Sequence, residues 1–344
     1  MMNNASLKVV TVGAGYFSQF HYDAWQRVEA AQVVGNCNRT LSAAIDIGRR
    51  YAIPVQGDKL QDLITRLQPD LIDIITPPQT HVEYVEIAAA AGIDAIVQKP
   101  FGETMEQARY MTDLVAKAGT RLIVHENFRF MPWYREIRTF IESGTLGDIL
   151  NVQFNLRPGD GQGNNAYLDR QPYFQSMEKF LIHETAIHLV DSFRFLFGEV
   201  QSVYADLRRC NPAIMGEDAG IVIFNMENNL QAVFDGNRLL DHSARNKRVT
   251  MGEMLIEGTL GALRLDGEAR IWHRLFDDCN ETEHRYSWNN ANFGGDCVYR
   301  LIEHVVSYYQ HGTPLENQGF EYLDNIAIED AIYLSNQQHK RIDL

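Results

Sequence analysis

The stretch LKVVTVGAGYFS, Leu7 to Ser18, constrains this chain most. A short valine-rich run that halts at a glycine pair reads as a buried strand ending in a tight turn. A helical stretch, FSQFHYDAWQRV, follows directly. The alternation then repeats. AQVVGNCN, DLIDIIT, DAIVQ and RLIVH read as strands, and LSAAIDIGRRY, LQDLITRLQ, HVEYVEIAAAAG and TMEQARYMTDLVAKAG as helices. Strands and helices that alternate through short loops predict an α/β fold: a parallel sheet covered on both faces, as in a Rossmann domain. Ligands of such a sheet bind beyond the carboxyl ends of its strands. The residues to examine are therefore Gly13 to Ser18, Asn38 to Thr40, Thr76 to Pro78, Lys99 to Phe101 and Glu126 to Arg129.

The turn GAGYFS fits G-x-G-x-x-G with Ser18 in the third place. Gly13 permits the tight turn, and Gly15 lets backbone approach a pyrophosphate at a helix N-terminus. Tyr16, Phe17 and Ser18 complete the candidate cofactor loop. At the end of the second strand an acidic residue ordinarily holds the adenosine ribose, and here Asn38 stands in its place. Asparagine still hydrogen-bonds a hydroxyl and does not repel a 2′-phosphate, which Arg39 is able to bind. The local chemistry permits NADP without excluding NAD.

A chain of 344 residues suggests two domains. Its net charge of -14 argues against nucleic acid or an anionic membrane as partner. The basic run Arg245 to Arg248 reads as a solvated loop. Cys37, Cys210, Cys279 and Cys297 form no C-x-x-C pair, so free thiols in a reducing cytoplasm are expected. No apolar h-region precedes the first strand, and no apolar run reaches ~18 residues, so neither a signal peptide nor a membrane span is expected.

HETAIHLVD, His183 to Asp191, almost reads as the zinc-peptidase signature, but its second histidine falls one place late. On a regular α-helix, residues five apart differ in direction by roughly 140°. His183 and His188 then cannot readily share a metal, and no metal is expected. Glu184 and His188, four apart, share a face, with Asp191 further along it. That pairing suits an orienting carboxylate and a proton acceptor, with His183 pointing elsewhere or touching a substrate at the helix start. Gly198 is a plausible cap. The glycine-rich loop Asn155 to Tyr167 offers Arg157 and Asp160 as hydrogen-bonding groups, and ENFRF offers Asn127 and Arg129 at the sheet edge. His125 has packing as its simplest use.

With QKP at the fourth of these strands, ITPPQTH before it, and HENFRFMPWYREI, HETAIHLVD, IEGTLGALRLDG and GGDCVYRLIEHVV after it, the whole chain resembles the Gfo/Idh/MocA family of sugar and polyol dehydrogenases. The resemblance implies a Rossmann domain over 1–126 and, over 127–344, an α/β domain with a large, open, mostly antiparallel sheet that builds a homo-oligomer, dimer or tetramer. It maps the family's catalytic lysine to Lys99, its histidine to His188 and that histidine's aspartate to Glu184. Gln98 takes the place of the family glutamate, which changes the contact to the nicotinamide ribose. Cofactor contacts are expected from Thr76, Pro77, His81, Gln98, Lys99 and Asn127, and substrate contacts from Lys99, Arg129, Arg157, Asp160, Glu184 and His188. Alcohol oxidation suits these types: a neutral histidine takes the hydroxyl proton, a carboxylate orients it, and an ammonium stabilises developing alkoxide. The expected reaction is hydride transfer from a sugar or polyol to NAD, with NADP permitted. An aldose C1 is the leading substrate position, such as D-apiose going to its lactone. Inositol, a non-catalytic sugar-sensing role and NAD-dependent glycoside hydrolysis are the alternatives.

Overall fold

The computed structural model describes residues 6–344. They form two compact units, the first running to Asn127 and resuming over Asp296–Asp324, the second comprising Phe128–Gly295 and Asn325–Leu344.

The first unit holds a six-stranded sheet of β1 (Leu7–Val12), β2 (Ala31–Cys37), β3 (Val55–Gly57), β4 (Leu71–Ile74), β5 (Asp94–Gln98) and β6 (Leu122–His125). Helices α1 (Ser18–Arg27), α2 (Leu41–Arg50), α3 (Leu60–Leu67), α4 (His81–Ala90) and α5 (Met105–Ala118) alternate with the strands. The order is β3-β2-β1-β4-β5-β6 and every pairing is parallel. Parallel strands covered on both faces need apolar residues throughout, and Val9, Val10, Val12, Ile72, Ile74, Ile96 and Val97 are all fully buried. The order reverses between β1 and β4, which sets the ligand crevice at their carboxyl ends. β3 was not foreseen, because three residues after a proline carry too little pattern. Helix ends follow local chemistry. The Thr104 hydroxyl accepts from the Gln107 N–H at the start of α5, and Gly119 (φ 70°) closes it.

The second unit opens with α6 (Pro132–Glu142) and β7 (Ile149–Leu156), and continues through α7 (Ile187–Phe197) to β8 (Val200–Arg208), β9 (Ala219–Met226) and β10 (Gln231–Asn237). A meander follows: β11 (Gly252–Gly258), β12 (Gly261–Leu265), β13 (Ile271–Leu275) and β14 (Thr282–His284). With β15 (Ile342–Asp343) these nine strands run β14-β13-β12-β11-β7-β10-β9-β8-β15, and only β7 and β10 pair in parallel. One face is buried through Phe154, Val222, Phe224, Phe234 and Ile256, and Phe193 of α7 meets Phe224 edge-on at 5.7 Å. The opposite face carries a cross-strand row of Tyr204, Ile223, Val233, Gln153 and Leu255, all at least partly exposed.

The domain boundary needs one correction. The expected second domain ran unbroken from 127, but the chain returns to the first unit through α8 (Cys297–His311) and the start of α9 (Gly319–Gln338). The physical reason is pairing. Helix α8 lies against α1, both Arg27 Nη atoms donate to the Asp296 carboxylate, and the Val124 N–H of β6 donates to the Asn317 carbonyl at 2.8 Å. Among the described residues no helix is long and apolar enough to cross a membrane.

Candidate active site

In the first unit the site is built from strand ends. Gly13 has φ 124°, and a Cβ there would lie 2.8 Å from the Ile75 carbonyl oxygen. Its N–H donates to the Cys37 carbonyl at 2.9 Å, tying the β1 turn to β2. A Cβ on Gly15 would meet nothing within 4 Å, so this glycine keeps an approach open. The Ser18 hydroxyl donates to the Gly15 carbonyl at 2.7 Å, which fastens the turn to the helix where the pattern has its third glycine. The first turn of α1 carries no acidic residue, so its N–H dipoles face the turn uncompensated. These residues fit a dinucleotide pyrophosphate. At the end of β2 the Asn38 amide donates to the Thr40 carbonyl at 3.1 Å, and Arg39 is exposed. Tyr16 is exposed, and Asn127 is buried.

Three of the residues expected at the cofactor also make contacts within the protein. His81 is fully buried; its Nε2 faces the Thr76 carbonyl at 2.7 Å and its Nδ1 the Phe101 carbonyl at 3.1 Å. Burial pushes its pKa down, and the neutral ring has a single N–H to donate, either to the loop after β4, which carries Thr76 and exposed Pro77, or to the loop after Lys99. Phe17 turns inward, edge-on to the rings of His21 (5.8 Å) and His125 (6.4 Å). Gln98 is buried, with Nε2 3.0 Å from His21 Nε2 and Oε1 accepting from the Lys99 N–H at 2.7 Å. Its two polar ends thus hold protein, which is where the departure from glutamate acts.

In the second unit the opening HETAIHLVD segment departs from a regular helix. Leu181–Ala186 form a π-helical turn before α7 begins at Ile187. The looser i→i+5 winding invalidates the 100°-per-residue argument for His183 and Glu184, and such turns are frequent at functional sites. Distant residues hold this turn. The Glu217 carboxylate accepts from the N–H groups of Phe180 and Ile182 and from the Tyr333 hydroxyl. The Arg238 guanidinium, almost wholly buried, donates to the Thr185 hydroxyl at 2.6 Å, the Tyr167 hydroxyl at 2.8 Å and Asp160 at 3.1 Å. His183 Nδ1 lies 2.7 Å from Glu329 on α9. His188 is buried, its ring flat on Phe128 at 4.0 Å and 5°. The stack sets the plane of the imidazole, as a proton acceptor requires.

Arg129, Arg157 and Asp160, expected to contact substrate, each have protein partners. Arg129 forms a two-pronged pair with buried Asp191, to which the Asn325 amide also donates. Arg157 donates to the Asp235 carboxylate and carbonyl. Asp160 accepts from Tyr167, Arg170 and Arg238. Sequence reasoning missed Arg238, Glu217 and Tyr333 entirely; an arginine ending a strand and a carboxylate in a loop carry no local signal of burial or capping.

A parallel sheet with a glycine turn at its switch point, and a second unit presenting a histidine on an open sheet's helix, define a two-unit oxidoreductase. The chain belongs to the Gfo/Idh/MocA family. Residues 7–126 match the domain described as the oxidoreductase family's NAD-binding Rossmann fold, and residues 134–264 match the family's C-terminal domain. Its cofactor is NAD. Two D-apiose dehydrogenases are similar over almost the whole length. That of Paraburkholderia graminis is 28% identical, over 98% of this chain and 89% of the relative. That of Rhizobium rhizogenes is 27% identical, over 100% of this chain and 99% of the relative. Among solved structures, an oxidoreductase from Agrobacterium radiobacter in complex with NAD+, L-tartaric acid and magnesium superposes with a TM-score of 0.88 at 26% identity, covering 98% of each chain.

Proposed function

We propose that this chain oxidises a cyclic aldose at C1 to its lactone, with D-apiose as the first substrate to test, and that Lys99 and His188 are its catalytic residues. The bound nicotinamide supplies the hydride acceptor. The C1 hydroxyl loses its proton to His188 as hydride leaves C1, and the C–O bond becomes the lactone carbonyl. The Lys99 ammonium donates to the oxygen as negative charge grows on it. Glu184 orients the imidazole and stabilises the charge it acquires. The observation that carries this reading is the place of Lys99: it directly follows β5, on the same carboxyl edge as the open turn at Gly15. Full-length similarity to two D-apiose dehydrogenases supports the substrate. The partly exposed row on the second sheet supports self-association, and the absence of paired cysteines supports a reducing compartment.

Absorbance of NADH measured against a panel of aldoses and polyols tests the substrate; turnover of inositol but no aldose would overturn the C1 assignment. Lys99→Ala and His188→Ala are each expected to lower kcat by ~100-fold or more, the range of acid–base and electrostatic contributions, while NAD still binds in a fluorescence titration. Near-normal turnover in both refutes the catalytic roles.

A further inference from the structure

We propose that Asp73, His21 and Gln98 form a hydrogen-bonded chain that positions Lys99, and that it operates with His21 neutral and its proton on Nδ1. The functional half of this inference rests on the reading of Lys99 as catalytic; the protonation half does not.

The argument runs from donor and acceptor chemistry. A backbone N–H only donates, so the Gln98 atom 2.7 Å from the Lys99 nitrogen must be its oxygen. That orients the amide by donor and acceptor chemistry alone. The Gln98 NH2 group, which only donates, then faces His21 Nε2 at 3.0 Å. Nε2 must accept, and so carries no proton. The single ring proton sits on Nδ1, 2.9 Å from Asp73 Oδ2, an acceptor. The far end agrees with the near end: only one arrangement of protons satisfies every link. An imidazolium, or the other tautomer, would set N–H against N–H between His21 and Gln98.

The surroundings hold the chain in place. His21 and Asp73 are fully buried and Gln98 nearly so. The Trp25 indole N–H donates to the same Asp73 oxygen at 2.7 Å. The His125 ring from β6 lies on His21 with centroids 4.0 Å apart, and Phe17 closes the other side. The groups that face His21 are thus Asp73 from β4, Gln98 from β5, His125 from β6, and the α1 neighbours Phe17 and Trp25, with Lys99 one residue beyond. Tyr22, on the same helix, spends its hydroxyl on Thr11 and the Gly13 carbonyl, so the same helix also fixes the cofactor turn.

This gives a reason for the departure from glutamate. A carboxylate at position 98 offers acceptors only. One oxygen would take the Lys99 N–H, and the other would face Nε2 and demand a proton there, leaving an imidazolium between two carboxylates. Glutamine removes that demand. Gln98 and His21 are positioning residues; neither touches reacting atoms in this scheme.

The test uses the full chain with its histidine rings labelled with 15N, read by NMR at about pH 8, above the range in which an ordinary imidazole takes up a proton. In the wild type His21 should show a protonated Nδ1 and an unprotonated Nε2, and Gln98→Glu should place a proton on Nε2 under the same conditions. A protonated Nε2 in the wild type, or an Nε2 unaffected by Gln98→Glu, overturns the chain. In turnover, Gln98→Glu should make kcat pH-dependent, recovering as the imidazolium loses its proton, with NAD affinity within about threefold of wild type, a shift under 1 kcal/mol. A wild-type pH profile in Gln98→Glu overturns the positioning role. If the variant does not fold, the wild-type spectrum alone still decides the tautomer. The spectrum needs no turnover, so a protein inert to every sugar with His21 as described refutes the proposed function and leaves this inference standing.

Discussion

Asp160 separates two ways of reading an acidic residue in a polar loop. The perturbation is Asp160→Ala. Arg238 is 2% exposed and its guanidinium stays charged, so removing the carboxylate 3.1 Å away leaves a buried cation with neutral partners, the hydroxyls of Tyr167 and Thr185 and the rings of Phe174 and Phe180. Breaking a fully buried pair by removing one partner costs ~3–5 kcal/mol. Asp160 retains partial exposure, with 22% of its side chain accessible, and water screens part of the loss, so about 3 kcal/mol is expected. At ~2–4 °C per kcal/mol for a unit of this size, the melting transition of the second unit should fall by about 6–12 °C. Calorimetry should show that loss, and the sugar KM of the folded protein should stay within about threefold, a change below 1 kcal/mol. Arg238→Met supplies the control: with the charge gone and the stem volume kept, Asp160→Ala should cost less than about 1 kcal/mol. A stability loss below that level in the single variant, accompanied by a large rise in KM, refutes the structural account and restores Asp160 to the substrate.

The two glycines of the cofactor turn should divide cleanly. Gly15→Ala places its methyl in open space, so the melting temperature should hold or rise slightly, while NAD affinity falls at least tenfold, about 1.4 kcal/mol; unchanged affinity in a titration would sink the pyrophosphate role. Gly13→Ala, strained by its φ of 124° and by the Ile75 carbonyl, should lower both stability and affinity. For pH, burial depresses the His81 pKa below its ordinary 6.5, so the unfolded chain binds a proton that the folded one refuses. The stability associated with this group is therefore complete above about pH 6.5 and declines as pH falls through the folded pKa. His81→Asn should lose the hydrogen bond that the neutral ring's single N–H makes at neutral pH yet show a shallower acid decline in melting temperature; a steeper one contradicts the assignment.

Much of the first unit was legible because its elements are local. LKVVTV declares a buried strand by composition alone, and glycine at 13 is demanded by a backbone angle that a sequence reader recognises. Lys99 and His188 are proposed as catalytic through the company they keep along the chain. The second unit resists such reading where its geometry is imported. The π turn at Leu181–Ala186 is held by Glu217, Arg238 and Tyr333, residues 31 or more positions away from it, and no window of sequence around HETAIHLVD contains them. Arg157, Asp160 and Arg129 present a related difficulty. A polar side chain in a loop has the same letter whether it meets a ligand or a buried counter-charge, and only tertiary packing decides between them. Gln98 was visible as an anomaly, but its meaning required the position of His21, 77 residues earlier.

The return of the chain at Asp296 bears on how the protein comes into being. The edge strand β6 finds its Asn317 partner only after almost the whole sequence has been made, so the nucleotide-binding unit emerges from the ribosome first and is completed last. Its closing contacts are long-range in sequence, a topology that slows folding because loop entropy is lost before those contacts form. For that interval β6 presents an unpaired edge, and the nascent first unit is a species that chaperones, or a bound dinucleotide, have reason to protect.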